Sequence, residues 1–156
     1  MKKANKNTIA QKDAFKVGDV FVKYNAQKDF TTLDAWKKAR LVKLFFYKEV
    51  IPHLPAEEKF NLNLQIRKAG VSGTANISEG YGRYHYQEGI PFYRISRGSI
   101  YELKDNLISC YDFDYISKEV FEKGISLIED AKITLNGYIK FVISQININN
   151  FNPIPL

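Results

Sequence analysis

The chain has 156 residues, 45% of them hydrophobic, and a formal net charge of +6. That apolar content suffices for one buried core. No apolar run has membrane-spanning length, and the single cysteine, Cys110, excludes an internal disulfide and a cysteine-based zinc site.

The charge is uneven along the chain. Residues 1–28 hold seven lysines against Asp13 and Asp19, a net +5, and the rest holds sixteen basic and fifteen acidic residues, a net +1. The start, MKKANKNTIAQKDAFK, is basic but lacks the apolar stretch of a signal peptide, so a cytoplasmic location and no membrane are expected. Within FKVGDVFVKY, apolar residues alternate around Gly18 and Asp19, which reads as a small hairpin or as disorder. Residues 1–28 are therefore set apart as a basic extension.

Four helices follow. The first is expected from about Thr32 to Ile51, with Thr31 or Thr32 as N-cap and Asp34 in the first turn. It is apolar on more than one side (Leu33, Trp36, Leu41, Val42, Phe45, Phe46), which points to a subunit contact beyond the core. It also carries Lys37, Lys38, Arg40, Lys43 and Lys48. Such a stripe is either a solvated face or, repeated in an oligomer, a multivalent phosphate-binding surface. Pro52 and Pro55 end this helix.

The second helix is expected from about Ala56 to Glu79. Its seam, Leu62, Ile66, Ala69, Gly73, Asn76 and Gly80, is mostly small, so a neighbouring helix can come close. The stretch ANISEGYGRYHYQEG, Ala75 to Gly89, follows. Its glycines suit a corner, with Gly80 and Gly82 as C-cap residues. Its Arg83, Tyr84, His85 and Tyr86 offer a cation and rings to RNA. An active-site role for His85 is the third reading.

The third helix is expected between Gly89 and Tyr111, and the fourth from Ser117, as N-cap, to Ser144. Residues 145–156 are expected to be irregular. Short connections favour an all-α, antiparallel up-down-up-down four-helix bundle over residues 29–144. Arg67, Asn76 and Glu79 on the second helix and Arg97, Ser99 and Glu102 on the third would form one closed polar network if their faces meet. As a catalytic or metal-binding pair, Glu79 and Glu102 lack the Glu-x-x-His partners of di-iron bundles. No catalytic residue, metal or cofactor is expected.

Two separated motifs, QIRKAGVSGTANISEGYGR and FYRISRGSIYEL, carry a family pattern. Its positions are Gln65, Ile66, Arg67, Ser72, Asn76, Ile77, Glu79, Gly80 and Arg83, then Phe92, Arg97, Gly98, Ser99, Glu102 and Leu103. With the aromatic-rich segment Trp36 to Tyr47, the chain resembles, over roughly Phe30 to Phe141, the 23S rRNA intervening-sequence protein family. Gly70 and Gly73 replace larger residues of that pattern, which is expected to loosen the second helix. The resemblance implies a non-enzymatic, ring-like homopentamer. A related branch serves as the accessory protein of diversity-generating retroelements, where a basic pentamer binds reverse transcriptase and RNA. The resemblance and the basic stripe together point to an RNA- or ribonucleoprotein-binding protein, with Lys37, Lys38, Arg40, Lys43, Arg83 and Tyr84 as contacts. The alternative is a protein-interaction scaffold or accessory subunit that docks a partner protein.

Overall fold

The computed structural model describes residues 14–17, 20–23, 29–83 and 85–151. Strands β1 (Ala14–Val17) and β2 (Val20–Lys23) pair antiparallel with Val17 opposite Val20. The other residues of the lysine-rich extension, and residues 152–156, lie outside the described residues. Helices α1 (Asp34–Phe45), α2 (Leu62–Gly82), α3 (Tyr86–Asp112) and α4 (Lys118–Phe151) follow. Each packs on its successor and α1 closes on α4, an antiparallel four-helix bundle.

The helix starts differ in their chemistry. Ahead of α1, Asp29 does the capping expected of Thr31 or Thr32. Its carboxylate accepts from the Phe30 N–H at 2.7 Å and from the Thr31 hydroxyl at 3.0 Å. The reason is a 3-10 turn, Phe30–Thr32, which puts Leu33 at the cap position of α1. Glu58 reaches over the start of α2, accepting from the Leu62 N–H at 3.2 Å and from Asn61 at 2.9 Å. Ser117 caps α4 as expected, accepting from the Val120 N–H at 3.3 Å. α4 runs on to Phe151, so the irregular tail does not begin at residue 145. Pro153 disfavours the helical conformation only for the residue before it, so nothing earlier halts the helix.

On α1, Ala35, Ala39, Val42 and Phe45 face the core at helical spacing. A π-turn, Phe46–Val50, follows. Its extra residue turns the chain so that the adjacent Phe45 and Phe46 are both buried, with rings edge to face at 5.6 Å. On α4 the buried face is Ile128, Ala131, Leu135, Ile139 and Val142, and Gly124 is pressed between Leu107 and Phe45.

Along the α2–α3 seam the two backbones come into contact. Gly80 and Gly89 face each other where the helices meet. A Cβ on Gly80 would lie 2.6 Å from the Tyr93 ring and 3.0 Å from the Gly89 carbonyl oxygen. A Cβ on Gly89 would lie 2.8 Å from the Gly80 carbonyl. So Gly80 is not a C-cap: α2 continues to Gly82, and Gly80 is glycine because the backbones touch there. α3 correspondingly begins at Tyr86, ahead of Gly89. Farther along the seam, the buried Ser96 hydroxyl donates to the Gly73 carbonyl at 2.6 Å. α2 is unbroken through Gly70 and Gly73. A side chain at Gly70 would press on Lys43, so this glycine makes room for α1.

Gly80→Ala should destabilise the bundle by about 1–3 kcal/mol through overpacking against Tyr93. Gly137→Ala, which meets nothing within 4 Å, should stabilise it by about 0.5–1 kcal/mol through helix propensity. Denaturant midpoints of the two variants check this. Equal shifts would mean that the seam is not tight.

Candidate nucleic-acid interface

The cations of α1 and of the π-turn after it, which holds Lys48, fall into two groups. Lys37 pairs with Asp34 at 3.2 Å, and Lys38 crosses to Asp130 of α4 at 2.6 Å. Both are neutralised by the protein. Arg40 is exposed and stands 5.9 Å from the Trp36 ring centre. Lys43 lies half-buried against α2 and donates to the Thr74 hydroxyl at 3.1 Å. Burial first, and then the Arg40 guanidinium, hold the Lys43 ammonium below its usual pKa. Lys48 is exposed. Among the described residues no carboxylate forms an ion pair with Arg40, Lys43 or Lys48. By contrast Lys104 and Lys132 share Glu129 at 2.7 and 3.0 Å, and Lys123 binds Glu49 at 2.8 Å.

The unneutralised group extends onto α2. Tyr47, Arg67, Lys68, Val71 and Ser72 line an open groove of about 430 Å³. The Arg67 guanidinium lies 4.8 Å from the Tyr47 ring centre, and its Nε donates to Asn63 at 2.7 Å. A second hollow of about 230 Å³, lined by Lys43, Leu44, Tyr47 and Val71, continues this groove. Sequence alone does not single out Tyr47 and Lys68 as contacts. The available signal is spacing: 67, 68 and 71 lie opposite the seam positions 66, 69 and 73, so their side chains point outward.

At the α2–α3 corner, Arg83 pairs with Glu79 on its own helix and stacks 4.5 Å from the Phe92 ring centre. Its charge is locally matched, which sets it apart from Arg40. Tyr84 lies outside the described residues.

The six expected network residues do not close into one cluster. Ser99 donates to the Ser72 hydroxyl at 2.8 Å, and Asn76 donates to the Ser72 carbonyl at 2.9 Å and to its hydroxyl at 3.1 Å. The Ser99 bond joins α3 to α2, and the Asn76 bonds stay within α2. Glu79 turns to Arg83, Arg67 turns toward α1, and Arg97 donates to Asn136 of α4 at 3.3 Å. Glu102 is exposed and makes no ion pair among the described residues. The reason is steric. A seam built of Ala69, Gly73 and Gly80 leaves room for hydroxyls, not for carboxylates and guanidinium groups.

Among the described residues, no group of three or more His, Cys, Asp or Glu could hold a metal ion. Burial pushes the Cys110 thiol up to about 11, so at neutral pH it is a buried thiol and not a nucleophile. No helix is long and apolar enough to cross a membrane among the described residues.

No curated protein matches the chain significantly. The family model for 23S rRNA-intervening sequence proteins matches residues 31–137, most of the helical bundle.

In native protein at pH 8, Cys110 should resist a thiol-specific chromogenic reagent and react fully in denaturant. Rapid reaction of the native thiol would contradict its burial in the core.

Proposed function

Because the chain belongs to the 23S rRNA-intervening sequence protein family, we propose that it acts without catalysis, as a homo-oligomeric, pentameric ring that binds RNA or a ribonucleoprotein. The observation that carries this reading is the unneutralised basic surface on α1 and the π-turn after it, Arg40, Lys43 and Lys48, beside the ion-paired Lys37 and Lys38. A cation held beside another cation, without a carboxylate partner, favours an anion from outside. The Lys43 ammonium is already partly desolvated by α2, so a phosphate there gains more than it would from a fully hydrated lysine. A single copy offers only a few such contacts. Several copies in one ring add them through effective concentration, which turns weak phosphate contacts into useful affinity. Tyr47 and Trp36 stand beside the cations and offer ring faces to unpaired bases.

A second reading, a scaffold or accessory subunit that docks a partner protein, draws on a different surface. Phe60 is 80% and Phe113 is 56% exposed near the α3–α4 end of the bundle. Apolar rings exposed to that degree are common where another protein covers them. That reading predicts one protein co-purifying in fixed ratio, and its absence on Phe60→Ser.

Affinity for single-stranded RNA should fall steeply with salt. Arg40→Gln with Lys48→Gln should flatten the slope of log affinity against log salt by about 0.7 for each phosphate that these cations neutralise. Lys37→Gln, whose charge is already paired, should change the slope less. Equal slopes in all forms would place RNA elsewhere or nowhere on the bundle.

A further inference from the structure

Lys43 is set apart from the lysines whose ammonium groups reach a carboxylate. Among the described residues, Lys37, Lys38, Lys104, Lys123 and Lys132 all do so within 3.2 Å. Lys43 donates instead to the Thr74 hydroxyl, at 3.1 Å. A carboxylate partner keeps an ammonium protonated, whereas a hydroxyl brings no opposing charge. The groups that face Lys43 from the elements packed around it are Arg40 on α1, Tyr47 on the π-turn, and Thr74, Arg67 and Lys68 on α2. No carboxylate is among them. Burial by α2 and the neighbouring Arg40 charge both favour the neutral amine. Desolvation and a nearby cation are the two conditions that turn a lysine into a nucleophile.

The amine also has room to react. With Leu44, Tyr47 and Val71 it lines a hollow of about 230 Å³, large enough for an acyl group of a few carbons. Gly70 keeps the lysine stem in place without crowding it, since a Cβ there would lie 3.3 Å from the Lys43 Cγ. Thr74 sets the direction of the nitrogen. Its hydroxyl donates to the Val71 carbonyl at 3.2 Å, which turns its oxygen lone pairs toward Lys43. Once the ammonium loses a proton to solvent, one N–H stays on that oxygen and the nitrogen lone pair is left for the hollow. Arg40 is exposed three residues before Lys43, on the same side of α1. Its guanidinium suits an anionic leaving group, above all a phosphate.

We propose that Lys43 is a covalent modification site, acylated on Nζ by small acyl phosphates, with Arg40 holding the phosphate. The neutral amine attacks the carbonyl carbon. A C–N bond forms, and the bond from that carbon to the phosphate oxygen breaks. Phosphate leaves with the electron pair, and the nitrogen gives its surplus proton to solvent. The product is a neutral amide, and the step needs no other reactant. The site stands whether or not RNA is the partner. Where RNA binds, acylation removes one of the three unneutralised cations.

The test is incubation of the full chain with acetyl phosphate at pH 7.5, with the acetyl occupancy of each lysine followed in time by peptide mass spectrometry. Lys43 should acetylate at least about fivefold faster than the exposed Lys48 and Lys68. The lead should shrink as pH rises into the usual lysine range, where exposed amines lose their protons too, and vanish in guanidinium chloride. Lys43 reacting no faster than Lys48 in the native chain overturns the proposal. Arg40→Gln, at an exposed position, separates the reagent class from simple reactivity. It should slow acetylation of Lys43 by acetyl phosphate about threefold more than acetylation by the uncharged donor acetic anhydride. Equal slowing with both donors overturns the assignment to acyl phosphates.

Discussion

The bundle depends on the contact between Gly80 and Gly89. There the backbones of α2 and α3 approach until each glycine would drive a Cβ into the other's carbonyl, with the Tyr93 ring closing the gap. That approach draws the whole seam close, so Ser96 can reach the Gly73 carbonyl and Ser99 can reach Ser72. Hydroxyls fit between the helices at this separation. Tyr93 carries the constraint onward to α4, where its ring meets Tyr138 edge to face at 5.1 Å. Burial holds both phenols above their usual pKa, so the pair stays neutral at physiological pH. A second tight point, Gly124 between Leu107 and Phe45, ties α4 to α1 and α3.

The charge distribution follows from that packing. Side chains excluded from the seam emerge on the outside of α2 and α3. Some find partners at once, as Glu79 does in Arg83 and Arg97 does in Asn136. Others do not. On α1 and α2 the unmatched residues are the cations Arg40, Lys43, Arg67 and Lys68, and α3 leaves Arg94 as well as Glu102 and Asp105 exposed and without an ion pair among the described residues. An interior built by close backbone approach thus leaves on the surface charge that its own chain does not match.

Much of this is legible in the sequence. The heptad of small residues from Leu62 to Gly80 predicts a close neighbour, and Ser117 predicts its helix start. The two motifs predict the family. The misses share a cause: local signals cannot report what a residue meets across a helix pair. Gly80 looks like a stop because glycine ends helices, but here it answers the backbone of Gly89. Thr31 and Thr32 look like caps, but a 3-10 turn gives the task to Asp29. The π-turn at Phe46 has no spacing signature; it shows only in two adjacent phenylalanines both being buried. The polar network is inferred from positions three residues apart on each helix. Spacing places residues on a face but does not say whether the gap between faces admits them. For Ser72, Asn76 and Ser99 it does. For Arg67, Glu79 and Glu102 it does not.

The central proposal is that copies of this chain assemble into a ring that repeats the unneutralised cations Arg40, Lys43 and Lys48. Native mass spectrometry of the intact chain at low ionic strength tests it most directly. A dominant species near five times the 18.0 kDa chain mass, giving way to smaller species as salt screens the charges, is the predicted result. A dominant single-chain mass at all salt concentrations would contradict it.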